Sequence, residues 1–496
     1  MHTFVSTTFG RTARLTAAVA ALAMAGAAQT PSLTTLYSFT GSSGANPSAG
    51  VVFGANGSLF GTTPYGGTGT ACQGPATTTL NGCGTVYELT PGTPWTETTL
   101  YSFQGGEDGA NPVAPLTVGT SGVFYGTTVA GGTGNGTVFQ IAAPKKAGEP
   151  WTETILYTFA PGNAVGTVSV SGSTVTLVSG TAFVTGTTWA GVSIDIDTVT
   201  YTIASVTSST TLTLTAPLTK ALTGVGYLVD SAPPGLWAGW PDGSGPQGGL
   251  ILEGGKLYGT TFGGGNTGAG SIFQLTAPAG GTGPWTEEII YNFQGGQDGS
   301  GPETGLTVTK GVLYGTTCCG TVGGTVFKLT PGQAGWTKAP VFSFSKYSQG
   351  YEPFGGLAIN SSGVLYGTTQ AGGSGNNGIL FSLTAATGGK YTLNTIHPFT
   401  GGTDGGAPYG TPALGTGGVL YVTVTSGCEY GVGGVLEFTP PKTKGAGWTE
   451  TVLYSFTGAG DGSQPFAGVI LNNGNLYGTT EFDGASGYGT VYELVP

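Results

Sequence analysis

Two residue types are almost missing from this chain of 496 residues, and their scarcity excludes much. Arginine occurs only at Arg11 and Arg14, and histidine only at His2 and His397. The two arginines precede the apolar run Leu15–Met24, and Ala25-Gly26-Ala27 follows as a small-residue cleavage pattern. This layout reads as a secretory signal over residues 1–27. The alternative is a short N-terminal helix of the folded domain. The run is too short to span a bilayer comfortably, and no later apolar stretch matches its length. The mature chain is therefore expected to be exported, whether extracellular, periplasmic or on the cell surface. It is expected to carry no transmembrane segment and, ending in GTVYELVP, no C-terminal anchor helix.

Once the signal is removed no arginine remains, and eleven lysines face 24 acidic residues, a net charge of −13. Guanidinium forks are the usual readers of phosphate and carboxylate, so nucleic acid and nucleotide partners are not expected. With His397 alone, a Ser-His-Asp or Cys-His site has one residue to draw on, and a zinc site built on several imidazoles is excluded. His397 stands in IHPF where other copies of the same element read LYSF, so it reads as a strand residue in a tyrosine's place. Charged residues are only 7% of the chain. Beyond residue 30 no long window shows the 3.6-residue apolar period of a helix.

What is present is repetition. The phrase LYGTT stands at 257–261, 313–317, 365–369 and 476–480, with near copies LFGTT at 59–63, FYGTT at 124–128 and LYVTV at 420–424. Two more elements recur with it. One is the WTETxLYSF type, ending at 39, 103, 159, 293, 344, 399 and 456; the other is the GTVFxL type, beginning at 84, 136, 270, 324, 378, 434 and 489. The central position of the phrase falls at 61, 126, 259, 315, 367, 422 and 478, so the gaps are 65, 133, 56, 52, 55 and 56. A unit of about 55 residues with four strand-sized elements is the signature of a β-propeller blade. The fold class predicted is all-β: a seven-bladed β-propeller with a small β-module inserted in one loop.

In each unit an apolar GGL-type segment is expected to form the innermost strand, a. LYGTT forms b, GTVFxL forms c and WTETxLYSF forms d on the rim. The chain then starts on a d strand, Thr34–Phe39, and stops after a c strand, Gly489–Leu494. The two are predicted to pair and to close the ring without an open edge. Trp95, Trp151, Trp285, Trp336 and Trp448 each open a d strand. Their fixed place favours packing between blades over a sugar platform. The long gap holds the predicted module, residues 160–238, with a core at Gly166–Asp230 of alternating Val, Thr, Ile and Ser. Its flanks, APGNA and SAPPG, suit a guest domain. The propeller is expected over 31–159 and 239–496.

The full unit, GxLYGTTxxGGxxxxGTVFxL followed by WTETxLYSFxGGxDGxxP, resembles the GloVer tandem repeat of exported bacterial proteins described as "choice-of-anchor". The match covers 34–159 and 238–496. The resemblance implies a secreted or surface-attached protein and offers no catalytic residues.

The d–a and b–c connections share one face of a propeller. On it the d–a turns repeat an aspartate: Asp108, Asp242, Asp298, Asp404 and Asp461. A carboxylate ring suits calcium, the one cofactor the sequence suggests. The alternative is an Asx turn in each loop. With Glu107 and Glu352 these acids are also the candidate pair for glycoside hydrolysis, which needs two carboxyls roughly 5–10 Å apart. Tyr65, Trp237, Trp240, Tyr351, Tyr430 and Phe482 fall in loops of the same face as candidate sugar-stacking rings, or as loop packing. Cys72 and Cys83 are expected to clip one long loop. Cys318-Cys319 either form a vicinal disulfide or stay apart, and Cys428 is left over. The leading function is non-enzymatic binding of an extracellular polysaccharide or a surface partner. The alternatives are a carbohydrate-active enzyme using loop carboxylates and a structural component of the envelope or matrix.

Overall fold

The computed structural model describes residues 30–496 except 73–80, 121, 147, 160–164, 181–192, 198, 209, 229–241, 281–284, 321–322, 334 and 444. The expected signal segment and the flanks of the expected module lie outside the described residues. Among the described residues there is no α-helix, only β-strands and three-residue 3-10 turns. The scarcity of helix follows from β-branched and aromatic residues alternating between glycine turns.

The strands assemble into four-stranded antiparallel sheets, one per repeat unit. The third sheet is typical: Ile251–Glu253, Lys256–Thr261, Ser271–Thr276 and Thr286–Asn292 pair in chain order. One sheet departs from chain order. Ser32–Ser38 pairs antiparallel with Thr490–Val495, Leu33 opposite Leu494, as the fourth strand beside Asn475–Thr480 and Ile470–Asn472.

The strand pairing explains the repeated phrase. Gly61, Gly126, Gly259, Gly315, Gly367 and Gly478 each face a c-strand aromatic, and a Cβ on Gly259 would lie 2.4 Å from the Phe273 ring. The one unit without that glycine has Val422 opposite Leu436, where no ring needs the space. The first threonine of the phrase reaches the neighbouring unit in every copy but the second, where Thr127 Oγ1 is buried without a partner. Thr62 donates to Ala114 O at 3.0 Å, Thr260 to Thr304 O at 3.0 Å, Thr368 to Gly410 O at 3.1 Å and Thr479 to Ala49 O at 2.9 Å. The second threonine stays within its sheet, as Thr261 Oγ1 does 2.8 Å from Ser271 Oγ. Two of five letters therefore clear space for a ring and tie one unit to the next.

Each sheet buries its apolar faces against the sheets before and after it, and the last sheet packs on the first. The phenylalanine ending each d strand meets the c-strand ring of the next sheet edge-on. Phe103–Phe139, Phe159–Phe273, Phe293–Phe327, Phe344–Phe381 and Phe456–Tyr492 lie at 5.1–5.3 Å between centroids. Phe39–Tyr87, at 5.0 Å, joins the sheet holding both chain-end strands to the sheet after it. The tryptophans opening d strands also pack between sheets: Trp285 on Tyr125 at 6.0 Å, Trp336 on Tyr258 at 5.8 Å and Trp448 on Tyr366 at 6.3 Å.

Between the d strand Thr152–Thr158 and residue 242 the chain forms a closed six-stranded barrel, in the order 165–171, 174–180, 211–214, 199–208, 193–196 and 222–228. The barrel has its own core, including Val168, Val175, Ile194, Ile203 and Leu212.

Candidate functional site

The site is built from one register position in each unit. Every turn leading to an innermost strand carries a proline, and each proline packs on the glycine that opens the preceding c strand. Pro47 Cδ would lie 2.6 Å from a Cβ on Gly489, and Pro302 Cδ would lie 2.6 Å from one on Gly270. Gly489 has φ +86°, a conformation where a side chain would be strained as well as obstructed. The residue after each proline varies from unit to unit.

Those next residues are Ser48, Val113, Gln247, Glu303, Phe354, Tyr409 and Phe466, and all seven line a single cavity of about 850 Å³. Its wall below them is the glycine-rich start of the innermost strands, including Gly248, Gly305, Gly410 and Gly468. Val129 and Glu481, each the residue following a b strand, complete the rim. The repeat holds the backbone constant and lets this one position differ. The result is lopsided. Small, aliphatic and amide side chains occupy one arc, and Glu303, Phe354, Tyr409 and Phe466 follow consecutively on the other, with Glu481 beyond them.

The aromatic arc is packed and oriented. Phe354 and Tyr409 stack at 4.9 Å with 11° between planes, and Phe466 meets Tyr409 edge-on at 5.2 Å. The Tyr409 hydroxyl donates to Glu303 Oε1 at 2.7 Å. Glu303 Oε2 is buried with no hydrogen-bond partner, and so is Ser48 Oγ. Burial pushes the Glu303 carboxyl up, against the opposing pull of the Tyr409 bond. Burial alone lifts Glu481 to about 7. The Tyr409 phenol is pushed up first by burial, then by the charges of Glu303, Glu481 and Glu352. No lysine, arginine or histidine is among the described residues lining the cavity.

The aspartates of the d–a turns lie elsewhere and are held one by one. Tyr101, Tyr157, Tyr291 and Tyr454 donate to Asp108, Asp242, Asp298 and Asp461 at 2.9–3.1 Å. His397 Nε2 takes the tyrosine's place 3.1 Å from Asp404 Oδ2. Four of the carboxylates also accept a backbone N–H from four residues upstream, as Asp461 does from Thr457 at 2.9 Å. Asp242 instead accepts from the glycine after it, Gly243, at 2.8 Å. Among the described residues no three acids, thiols or imidazoles gather where they could hold a metal. Asp298 has an extra partner, Lys338, whose Nζ lies 2.5 Å from Oδ1. Where Lys338 stands, neighbouring units have Glu153 and Glu287, which burial lifts to about 7 and about 8, helped by Asp108 and Asp242 respectively.

Of the candidate rings, Tyr65 pairs its backbone with Ala45 and has its phenol raised by burial and then by Glu481. Tyr351 leans on Tyr347 at 5.5 Å. Tyr430 and Phe482 are 53% and 37% exposed. Trp237 and Trp240 lie outside the described residues. Glu107 sits exposed in a turn, and Glu352 acts on Tyr409 through its charge. Cys72 is bonded to Cys83 and Cys318 to Cys319, and Cys428 is a buried free thiol. The sequence reading missed Glu303, Phe354, Tyr409, Phe466 and Glu481. The signal was there, in the residue after each repeat proline.

No curated protein matches the chain. Solved structures similar to it include a putative oxidoreductase (glucose dehydrogenase) of Thermus thermophilus, 15% identical with a TM-score of 0.37, covering 80% of this chain and 94% of that one. Another is a putative 6-phosphogluconolactonase of Bacteroides uniformis, 13% identical with a TM-score of 0.34, covering 81% and 95%. The sequence model of one family matches residues 7–200 and 237–436, most of the chain and most of its repeat units, and the chain belongs to that family, the Gloeobacter/Verrucomicrobia repeat.

Proposed function

We propose that the protein is an exported, non-enzymatic saccharide-binding protein. It is built as a seven-bladed β-propeller with the six-stranded barrel inserted as a guest module, and its ligand sits in the cavity where the units converge. The observation carrying this reading is the arc Glu303–Phe354–Tyr409–Phe466 on the rim of a cavity of about 850 Å³. Sugar rings present a C–H face and a rim of hydroxyls. Aromatic faces take the first, and carboxyl and amide groups such as Glu303 and Gln247 take the second. The cavity volume lies within the range usual for small-molecule sites.

A binding role is favoured over a catalytic one by what lines the cavity. Hydrolysis needs two carboxyls flanking one bond. Glu303 and Glu481 come from the fourth and seventh units, and Glu303 is tied to Tyr409. His397 belongs to a d strand.

The test is calorimetric titration of residues 28–496 with a panel of oligosaccharides, alongside Phe466→Ala. Binding of at least one oligosaccharide, weakened about tenfold or more in the variant, is expected, since truncating an anchor ring typically costs more than 1 kcal/mol. Failure of every oligosaccharide to bind would overturn the reading. Appearance of new reducing ends in the mixture would replace it with the hydrolase alternative.

A further inference from the structure

Resting on the reading of the cavity as a saccharide site, we infer that its ligand is an amine-bearing saccharide, whose protonated amino group sits between Glu303 and the aromatic arc. Neutral and uronic sugars are the classes it discriminates against.

The argument begins with charge. The described lining holds two carboxyls and no cationic side chain, and the whole chain carries −11. A uronic acid would bring a further negative charge into a partly buried acidic site, which like-charge repulsion and desolvation both oppose. A neutral hydroxyl can satisfy one acceptor but leaves the charge uncompensated. An ammonium offers three donors and a positive charge. Glu303 Oε1 accepts from Tyr409, and Oε2, shielded from solvent, has no donor among the described residues, so the carboxyl carries one unmet acceptor. The rings beside it present negative faces, which attract cations when water is excluded.

The chain already contains a worked example of this chemistry. Lys338 Nζ lies against Asp298 and stands over the rings of Phe293, Tyr291 and Phe327 at 4.9, 5.3 and 5.7 Å. A carboxylate and a set of aromatic faces hold an ammonium there, supplied by the protein. The cavity repeats that donor set with Glu303, Phe354, Tyr409 and Phe466, and among its described lining residues no lysine fills the place. The raised carboxyls at the rim agree with this. Burial pushes Glu303 up and Glu481 to about 7, and a cation placed in the cavity would favour the ionised form of both.

The experiment titrates residues 28–496 at pH 6 with four probes: a glucosamine tetramer, its N-acetylated counterpart, cellotetraose and tetralysine. The glucosamine tetramer is expected to bind about tenfold tighter than either of the other sugars, the scale of a desolvated cation–π and ion-pair contact. Glu303→Gln is expected to remove that preference, so that the glucosamine tetramer and cellotetraose bind the variant within about twofold of each other. If the acetylated or neutral tetramer binds as tightly as the amine, the inference is wrong and the saccharide reading stands. If tetralysine binds as tightly as the glucosamine tetramer and Phe466→Ala changes neither, the attraction is non-specific adsorption and the inference is wrong. If no sugar binds, the inference and the proposed function fall together.

Discussion

Tyr409 donates its hydroxyl to Glu303 across an intervening unit, so the carboxyl of the fourth repeat is held by the phenol of the sixth while Phe354 of the fifth lies stacked on that phenol's ring. Tyr409→Phe keeps the stack and removes the donor. Neither oxygen of Glu303 then has a donor among the described residues. The folded state should lose about 1–3 kcal/mol, the usual penalty for orphaning a buried acceptor. Urea denaturation of the two proteins measures it, and an unchanged midpoint with unchanged slope would show that water replaces the phenol.

The ion pair of Lys338 and Asp298 is asymmetric. Lys338 is 7% exposed and Asp298 24%. Burial therefore dominates for the lysine and holds its ammonium below the usual value despite the carboxylate. Burial also works against the Asp298 carboxylate, but the bonds from Lys338, Gln294 and Tyr291 together outweigh it and hold the group below its usual range. Lys338→Met should cost about 2–3 kcal/mol, less than a fully buried orphan charge because Asp298 keeps some solvent. Adding Asp298→Asn should recover part of the loss. A double-mutant cycle by chemical denaturation checks both statements.

Stability should fall as pH rises from 5 to 9. Glu153 and Glu481 at about 7 and Glu287 at about 8 hold their protons more tightly in the folded chain than in the unfolded one. Their stabilising share is complete below the ordinary carboxyl value, about 4.3, and is lost as pH passes through 7 and 8. Asp298, Asp404 and Asp461 are held low and act oppositely, losing their share on acidification. A maximum near pH 5 follows. The melting temperature should drop by roughly 1 °C for each kcal/mol lost toward pH 9, the scale set by the unfolding entropy of a chain this long. In Glu287→Gln the alkaline slope should flatten; an equal slope in the variant would show that Glu287 does not carry it.

Closure by the first strand should be essential. Phe39 is fully buried and packs edge-on against Tyr87 of the following sheet. Phe39→Ala should destabilise by about 3–5 kcal/mol, the range for a large core ring. Removing residues 31–40 should abolish cooperative unfolding, as followed by near-ultraviolet dichroism. A truncated chain that melts as sharply as the full one would refute this.

The scaffold was legible because its rules are local and repeated seven times. Gly259 opposite Phe273, Thr260 reaching Thr304 and Phe293 against Phe327 leave the same letters in unit after unit. The pairing of Ser32–Ser38 with Thr490–Val495 could be read from a d strand without its c strand at one end and the converse at the other. His397 in a tyrosine's place was also readable, and it takes the tyrosine's bond to aspartate. The cavity was not found. Looking for chemistry in what repeats led to Asp108 and its counterparts, which secure turns beside their own d strands. Glu303, Phe354, Tyr409 and Phe466 share a register but no residue type, so they read as noise between repeated letters. Three-dimensional convergence of one position from every unit turns that noise into a rim. The link between Glu303 and Tyr409, 106 residues apart, has no trace in local sequence.

The strand pairing between the two ends of the chain also imposes a schedule. Ser32–Ser38 precedes every other described strand, and the strand it pairs with, Thr490–Val495, follows them all. During synthesis, the earliest-arriving strand stays idle while successive units condense behind it. Ring closure is then the last and most non-local event, the kind that slows folding. Until it happens the final sheet shows an unpaired edge able to recruit a strand from another molecule. The latency between first and last strand is therefore the interval in which this chain is most exposed to mispairing with its own copies.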